Sequence, residues 1–473
     1  MIHYLGVEYL GLNSLFTSIL QVLNLAELGI GSSMVFAMYK PIAVDDRHTL
    51  CALLALYRKY YRIVGCGMLT AGLALIPFLP KLIHGTVPDN INLYVLYVLN
   101  LLATVSSYWL FAYLNSILNA HQRNDIISKI QLVTNTVKYG LQLIILAYFK
   151  NYYFYVIVVI FAQILENLIT AYAARKMYPE YRPQGELQQN EKRDLNNRIK
   201  DFFTAKFGGT VLSSVDTIII SAFLGLRVLA IYQNYYYVMY SVVGVFTIVF
   251  TAIRAGVGNS MVLDSIEKNY QDYRTLTFIT FTLISFSSAC MATMFQPFIT
   301  IWMGKELLLP YSHVILFCLY FLAVEYVKLG SVYKDAAGIW HQDKFRPLIS
   351  GLINLILNVL LVGKYGLYGI MAATIISEGL VSGPWITENL FKYVFRGNMS
   401  DYLPFLSKCI LMVFAVTLSA ILLTKWIQLP LVVTLIINMF ISGVCTVIIC
   451  SLMHHNSNEF RRMKKLLLSA VKK

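Results

Sequence analysis

Apolar runs of about twenty residues, the length that crosses a bilayer as a helix, follow one another along almost the whole chain. They predict spans at 11–37, 62–82, 92–118, 128–149, 152–174, 203–224, 230–256, 276–298, 312–335, 347–363, 367–389, 404–424 and 430–452, thirteen in all. The polar stretches between them are short, apart from "YPEYRPQGELQQNEKRDLNNRIKD" at 178–201. That segment alternates charges without an apolar face and reads as a linker or an interfacial helix. The expected fold is all-α and polytopic.

Composition agrees. Of the 473 residues, 58% are hydrophobic and 13% charged, against roughly 25% charged in soluble domains. The net charge of +14 follows the positive-inside rule rather than a nucleic-acid surface. Most of the 38 basic residues fall in the loops after odd-numbered spans and in the tail "RRMKKLLLSAVKK", placing those parts in the cytoplasm. Such residues would face anionic membrane lipids. The 7 cysteines show no CxxC spacing and the 8 histidines no HExxH, so no metal site and no cofactor are expected.

The chain also repeats itself. "YLGVEYLG" at 4–11 is similar to "FLGLRVLA" at 223–230, an offset of 219, and "GIGSSMV" at 29–35 to "GVGNSMV" at 256–262, an offset of 227. "AHQRNDIIS" at 120–128 matches "WHQDKFRPLIS" at 340–350, offset 220 at the shared His-Gln, and "ILENLI" at 164–169 matches "ISEGLV" at 376–381. The order and spacing imply two pseudo-symmetric six-helix lobes, as in transporters built by duplication. The expected organisation is an N-terminal lobe at 1–175, a cytoplasmic linker at 176–202, a second lobe at 203–392, two additional helices at 404–452 and a basic cytoplasmic tail at 453–473. A full span precedes "FLGLRVLA" but only three residues precede "YLGVEYLG". On this repeat a first helix of fourteen is expected upstream of Met1.

"YLGVEYLGLNSLFTSILQVLNLAELGIGSSMVFAMYKPIAVDD", the "SSVDTIIISAFLG" of 213–225 followed by "AIYQNYYYV", and "AGVGNS" resemble the Wzx-type polysaccharide-unit flippases. These belong to the multidrug/oligosaccharidyl-lipid/polysaccharide exporter superfamily. The resemblance runs over essentially the whole chain. It implies two lobes facing a central cavity, alternating access, and movement of undecaprenyl-diphosphate-linked oligosaccharide units to the outer leaflet of a bacterial plasma membrane. A polysaccharide polymerase and glycosyltransferases would be partners. Other readings are a multidrug or metabolite antiporter, a peptidoglycan-precursor flippase, and a membrane-embedded glycosyltransferase or polymerase. No sizeable extramembrane loop with clustered carboxylates supports the enzyme.

Ionisable residues at bilayer depth cost several kcal/mol, about 2.5 to 3.5 on the insertion scale, unless partnered or wet. They are Glu27, Lys138, Glu166, Asp216, Arg254, Glu325, Lys328 and Glu378. Glu27 and Arg254 occupy equivalent places with opposite charge. They are expected either to pair across the lobes when the cytoplasmic mouth closes, leaving Arg254 to hold the diphosphate when it opens, or to serve their own lobes. Asp216 suits an ion or proton site, a sugar contact or an interhelical clamp, and Glu27 is a second candidate for ion coupling. Lys138 would meet Glu166, meet another acid, or face the diphosphate. Glu325 and Lys328, three apart, are expected to neutralise each other.

Overall fold

Polar caps and glycines divide the apolar sequence into helices. The computed structural model describes residues 1–27, 29–85, 87–88, 90–427 and 429–471, and all regular elements among them are helical. Gly6, at φ 120°, separates a single turn from α1 (Val7–Leu23), and α2 is Ile30–Ala43. α3 (Arg47–Leu82) opens on Asp46, whose carboxylate accepts from Thr49 N–H at 3.0 Å. The hydrogen bonds from Thr49 hold this carboxyl below its ordinary value. α4 (Leu93–Trp109) is capped by Asn92, and α5 (Ala112–Ala120) follows it at a bend of 50°. α6 is Asn124–Phe149, α7 (Tyr152–Met177) is capped by Asn151, and α8 is Gln189–Leu224. Gly225, at φ 89°, turns the chain into α9 (Leu226–Leu263).

Ser265 caps α10 (Ile266–Met303), accepting from Lys268 N–H at 3.3 Å. Then come α11 (Tyr311–Ala337), α12 (Trp340–Tyr365), α13 (Leu367–Phe395), α14 (Leu403–Thr424), α15 (Leu431–His454) and α16 (Asn458–Val471). Gly6 and Gly225, like Asp46 and Ser265, stand 219 residues apart. The repeat therefore preserves both a helix junction and a helix cap.

Packing divides the chain into Met1–Ala230 and Ile231–Lys473, the division falling inside α9. In the first unit α7 packs on α4 and α6, α3 on α2 and α4, and α8 on α1 and α2. Gly11 lets α1 approach the start of α9, since a Cβ there would lie 2.2 Å from the Leu226 carbonyl oxygen. In the second unit α10 is central, packed by α11, α14 and α15, and α13 packs on α11 and α12. Large apolar side chains stay exposed on α6, such as Leu132 and Leu143, and on α15, such as Ile436 and Phe440, as suits helices bordered by lipid.

Two expectations change. Among the described residues 11 helices are long and apolar enough to cross a membrane, or up to 12 when α4 and α5 are taken as one bent span; thirteen spans were expected. The run 11–37 is not one helix: the α-helix stops at Leu23, Asn24–Glu27 form a 3-10 turn, and helix resumes at Ile30. The 178–201 segment enters α8 at Gln189, and that helix continues for 36 residues through the expected span 203–224.

Candidate functional site

The break between α1 and α2 builds a polar site in the first unit. Its 3-10 turn carries Asn24 and Glu27, and three buried tyrosines meet them. Tyr61 donates its hydroxyl to Glu27 Oε1 at 2.7 Å, and the Tyr108 hydroxyl lies 3.0 Å from Oε2. Tyr57 donates to the Tyr61 oxygen at 2.7 Å, completing a relay of hydroxyls that ends on the carboxylate. Tyr108 also meets Asn24 Oδ1; having one proton, it donates either to Asn24 or to Glu27. The rings pack as well, with Tyr57 and Tyr61 centroids at 4.4 Å and Tyr61 edge-on to Tyr108 at 5.3 Å. A carboxylate bonded this way is satisfied within the protein and costs far less than a bare charge at this depth.

Two glycines fit the turn to its neighbours. A Cβ on Gly29 would lie 2.3 Å from the Ile199 carbonyl oxygen of α8, and one on Gly31 would lie 3.2 Å from the Tyr57 hydroxyl. The Gly-x-Gly of the first unit is thus a close-packing device.

Glu27 and the tyrosines form one wall of a cavity of about 650 Å³, within the roughly 300–1,000 Å³ of small-molecule sites. The rest comes from Ser32, Phe36 and Tyr39 of α2, Ser107 of α4, Asn115, Ser116 and Asn119 of α5, Asn124 of α6, Gln163, Glu166 and Asn167 of α7, and Phe202 of α8. Asn115 and Asn119, like Gln163 and Asn167, are four apart on their helices, so their amides share a face. Glu166 accepts from Gln131 Nε2 at 3.2 Å, and Asn167 donates to the Ser107 carbonyl at 3.2 Å. Two carboxylates, five amides, hydroxyls and aromatic rings line the space, and no lysine, arginine or histidine is among the described lining residues. The Arg198 guanidinium lies over the Phe36 ring, 4.7 Å from its centroid, without joining the lining. Such a surface offers many donors and acceptors to a polyhydroxylated ligand, or carboxylates and ring faces to an organic cation. Among the described lining residues it offers no cation to a phosphate.

The other membrane-depth charges lie outside this cavity. Lys138 donates to Asn135 Oδ1 at 2.7 Å and covers the Tyr139 ring on α6; Glu166 takes Gln131 instead. Asp216 is buried on α8 beside Ser214 and Thr217 and is engaged in polar contact. In the second unit Arg254 pairs with Asp335 at 3.4 Å. Lys328 Nζ is 3.4 Å from Glu325 Oε1, donates to Thr247 Oγ1 at 3.2 Å, and lies over Tyr240. Glu378 is half-buried on α13. Among the described residues no group of three or more potential metal ligands occurs.

Charge at depth was a signal visible in the sequence for Glu27 and Glu166. The tyrosine relay and the amide wall were not identified there. Their signal is polar spacing inside apolar runs: Tyr57 and Tyr61, Asn115 and Asn119, Gln163 and Asn167, each pair four apart.

No protein-family model and no curated protein sequence matches the chain. Solved structures do. The structure is similar to the lipid II flippase MurJ in an inward closed conformation, with a TM-score of 0.69 and 15% identity over 96% of this chain and 94% of that one. It is also similar to an inward-facing multidrug resistance MATE family transporter of the MOP superfamily, with a TM-score of 0.64 and 13% identity over 83% of this chain and 92% of that one. A Vibrio cholerae MATE transporter gives a TM-score of 0.56 at 11% identity, over 84% and 97% of the respective chains. The chain is a multi-pass membrane protein with the fold that these flippases and transporters share.

Proposed function

We propose that this protein is a flippase for undecaprenyl-diphosphate-linked oligosaccharide units, carrying them from the inner to the outer leaflet of a bacterial plasma membrane for surface polysaccharide synthesis. The observation that carries the reading is the cavity of the first unit, with its amide, hydroxyl and aromatic lining. Amides and hydroxyls suit hydroxyl groups of sugars, and tyrosine and phenylalanine faces suit their C–H faces. The carboxylates repel acidic sugars, so the cavity favours neutral or amine-bearing ones. The diphosphate requires cations, and none is among the described lining residues. Glycosyltransferases that build the unit and a polymerase that consumes it would be the partners, and the C-terminus would be cytoplasmic.

A second reading, an organic-cation antiporter, is favoured by the same two carboxylates and tyrosine rings. A peptidoglycan-precursor flippase is disfavoured, since free carboxylates on a peptide stem would face Glu27 and Glu166. Proteoliposomes separate these readings. A fluorescent undecaprenyl-diphosphate-linked oligosaccharide should become protected from an external quencher faster than in protein-free vesicles. Movement of tetraphenylphosphonium with no movement of the lipid-linked sugar would favour the antiporter.

A further inference from the structure

The C-terminal end of the second unit carries a cleft unrelated to the sugar cavity. α15 has 24 residues, a length of about 36 Å that crosses the roughly 30 Å hydrocarbon core. Only His455, Asn456 and Ser457 separate it from α16, so α16 starts at the membrane boundary.

α16 is docked there. Glu459 accepts from Arg274 Nε of α10 at 2.7 Å, and Arg462 approaches Asp272 at 3.4 Å and donates to Gln271. Phe460 is buried edge-on to Phe278, and the Ser457 hydroxyl accepts from Phe460 N–H at 3.2 Å.

Between α16 and the start of α10 lies a cleft of about 850 Å³. Its charged lining is Arg274, Arg461, Arg462 and Lys465 against Glu267 and Glu459. Glu459 is occupied by Arg274, and Glu267 accepts from Gln271 at 2.9 Å. Arg461 and Lys465 have no ion-pair or side-chain hydrogen-bond partner among the described residues. Four residues apart, they share one face of α16. Thr275, Ser457 and Asn458 add polar groups to the same cleft, and Leu466 and Leu468 stand exposed in the next turn.

We propose that this cleft binds the phosphate-bearing headgroup of an anionic phospholipid, with Arg461 and Lys465 on the phosphate. The positive-inside rule accounts for which side of the membrane is basic, but not for two unpaired cations facing one preformed cleft. A lipid source is favoured over free phosphate by the position of the cleft at the membrane boundary and by the leucines beside it.

The test is hydrogen exchange of residues 458–471 in the full-length protein. It is held in nanodiscs of phosphatidylcholine alone, or with phosphatidylglycerol replacing part of it. Phosphatidylglycerol should slow exchange about thirty-fold, the scale set by two surface cations. R461Q/K465Q should return it to the phosphatidylcholine level, and inorganic phosphate added to phosphatidylcholine discs should leave it unchanged. R396Q, in a different loop, should behave as the unmodified chain. Equal exchange in both disc types, protection that survives R461Q/K465Q, or equal protection by inorganic phosphate would each overturn the proposal.

Discussion

"AELGIGSSMVF" at 26–36 and "IRAGVGNSMVL" at 253–263 are nearly the same phrase in two conformations. In the first unit it holds the end of a 3-10 turn and the restart of a helix, with Gly29 against the Ile199 carbonyl and Glu27 bonded by two tyrosines. In the second it lies inside the last turns of the continuous helix α9; a Cβ on Gly256 or Gly258 would meet nothing within 4 Å, and Arg254 pairs with Asp335. Duplication kept the sequence, while the packing partner decided the backbone. Where α8 and the tyrosines press in, the helix breaks and a polar cavity opens beside it; where no neighbour presses, the helix runs on.

The His-Gln repeats diverge in the opposite sense. After His121-Gln122 the pair Arg123–Asp125 is exposed, at 2.9 Å. After His341-Gln342, Asp343 and Arg346 are almost fully buried in a two-pronged pair at 2.9 Å, with Asn389 donating to Asp343 at 3.1 Å. Removing one partner of a buried pair strands the other. Asp343→Asn should therefore destabilise the protein by about 3–5 kcal/mol, whereas Asp125→Asn should change stability by less than about 1 kcal/mol. Thermal unfolding of the two variants in one detergent measures both, and equal effects would break the contrast.

The glycines give a smaller difference, with a change of sign. Gly29→Ala should cost about 1–3 kcal/mol, because Ile199 is backbone and must shift. Gly256→Ala, in open space within a helix, should stabilise by about 0.5–1 kcal/mol. The same unfolding assay tests this pair. Smaller again is the effect of single hydroxyls on the site. Tyr61→Phe leaves one oxygen of Glu27 without its donor and should weaken oligosaccharide binding by about 1–1.5 kcal/mol, roughly ten-fold. Arg254→Gln breaks only a half-exposed pair and should alter stability by less than about 1 kcal/mol.

The apolar runs made most helices legible, because length and hydropathy alone decide what can span lipid. The two broken elements were not legible. The bend after α4 falls at Leu110 and Phe111, with Phe111 at φ 59°, and neither glycine nor proline marks it. The turn at Asn24–Glu27 depends on Tyr61, Tyr108 and Ile199, which come from three other helices and no local pattern announces. The relay tyrosines carry no charge, and no local pattern ties Tyr57 and Tyr61 to Tyr108 and Glu27. Conversely, Lys138 and Asp216 stood out as charges at depth, yet they lie outside the cavity and are held by neighbours.

The central claim is that the first-unit cavity takes sugars and rejects acidic ones. It is tested most directly by equilibrium binding of two soluble oligosaccharides of equal length to the purified protein, one neutral and one bearing a uronic acid. The neutral sugar should bind about ten-fold tighter or more, and Glu27→Gln with Glu166→Gln should narrow that ratio by removing the repulsion. Tighter binding of the acidic sugar, or a ratio unmoved by the double substitution, would contradict the account.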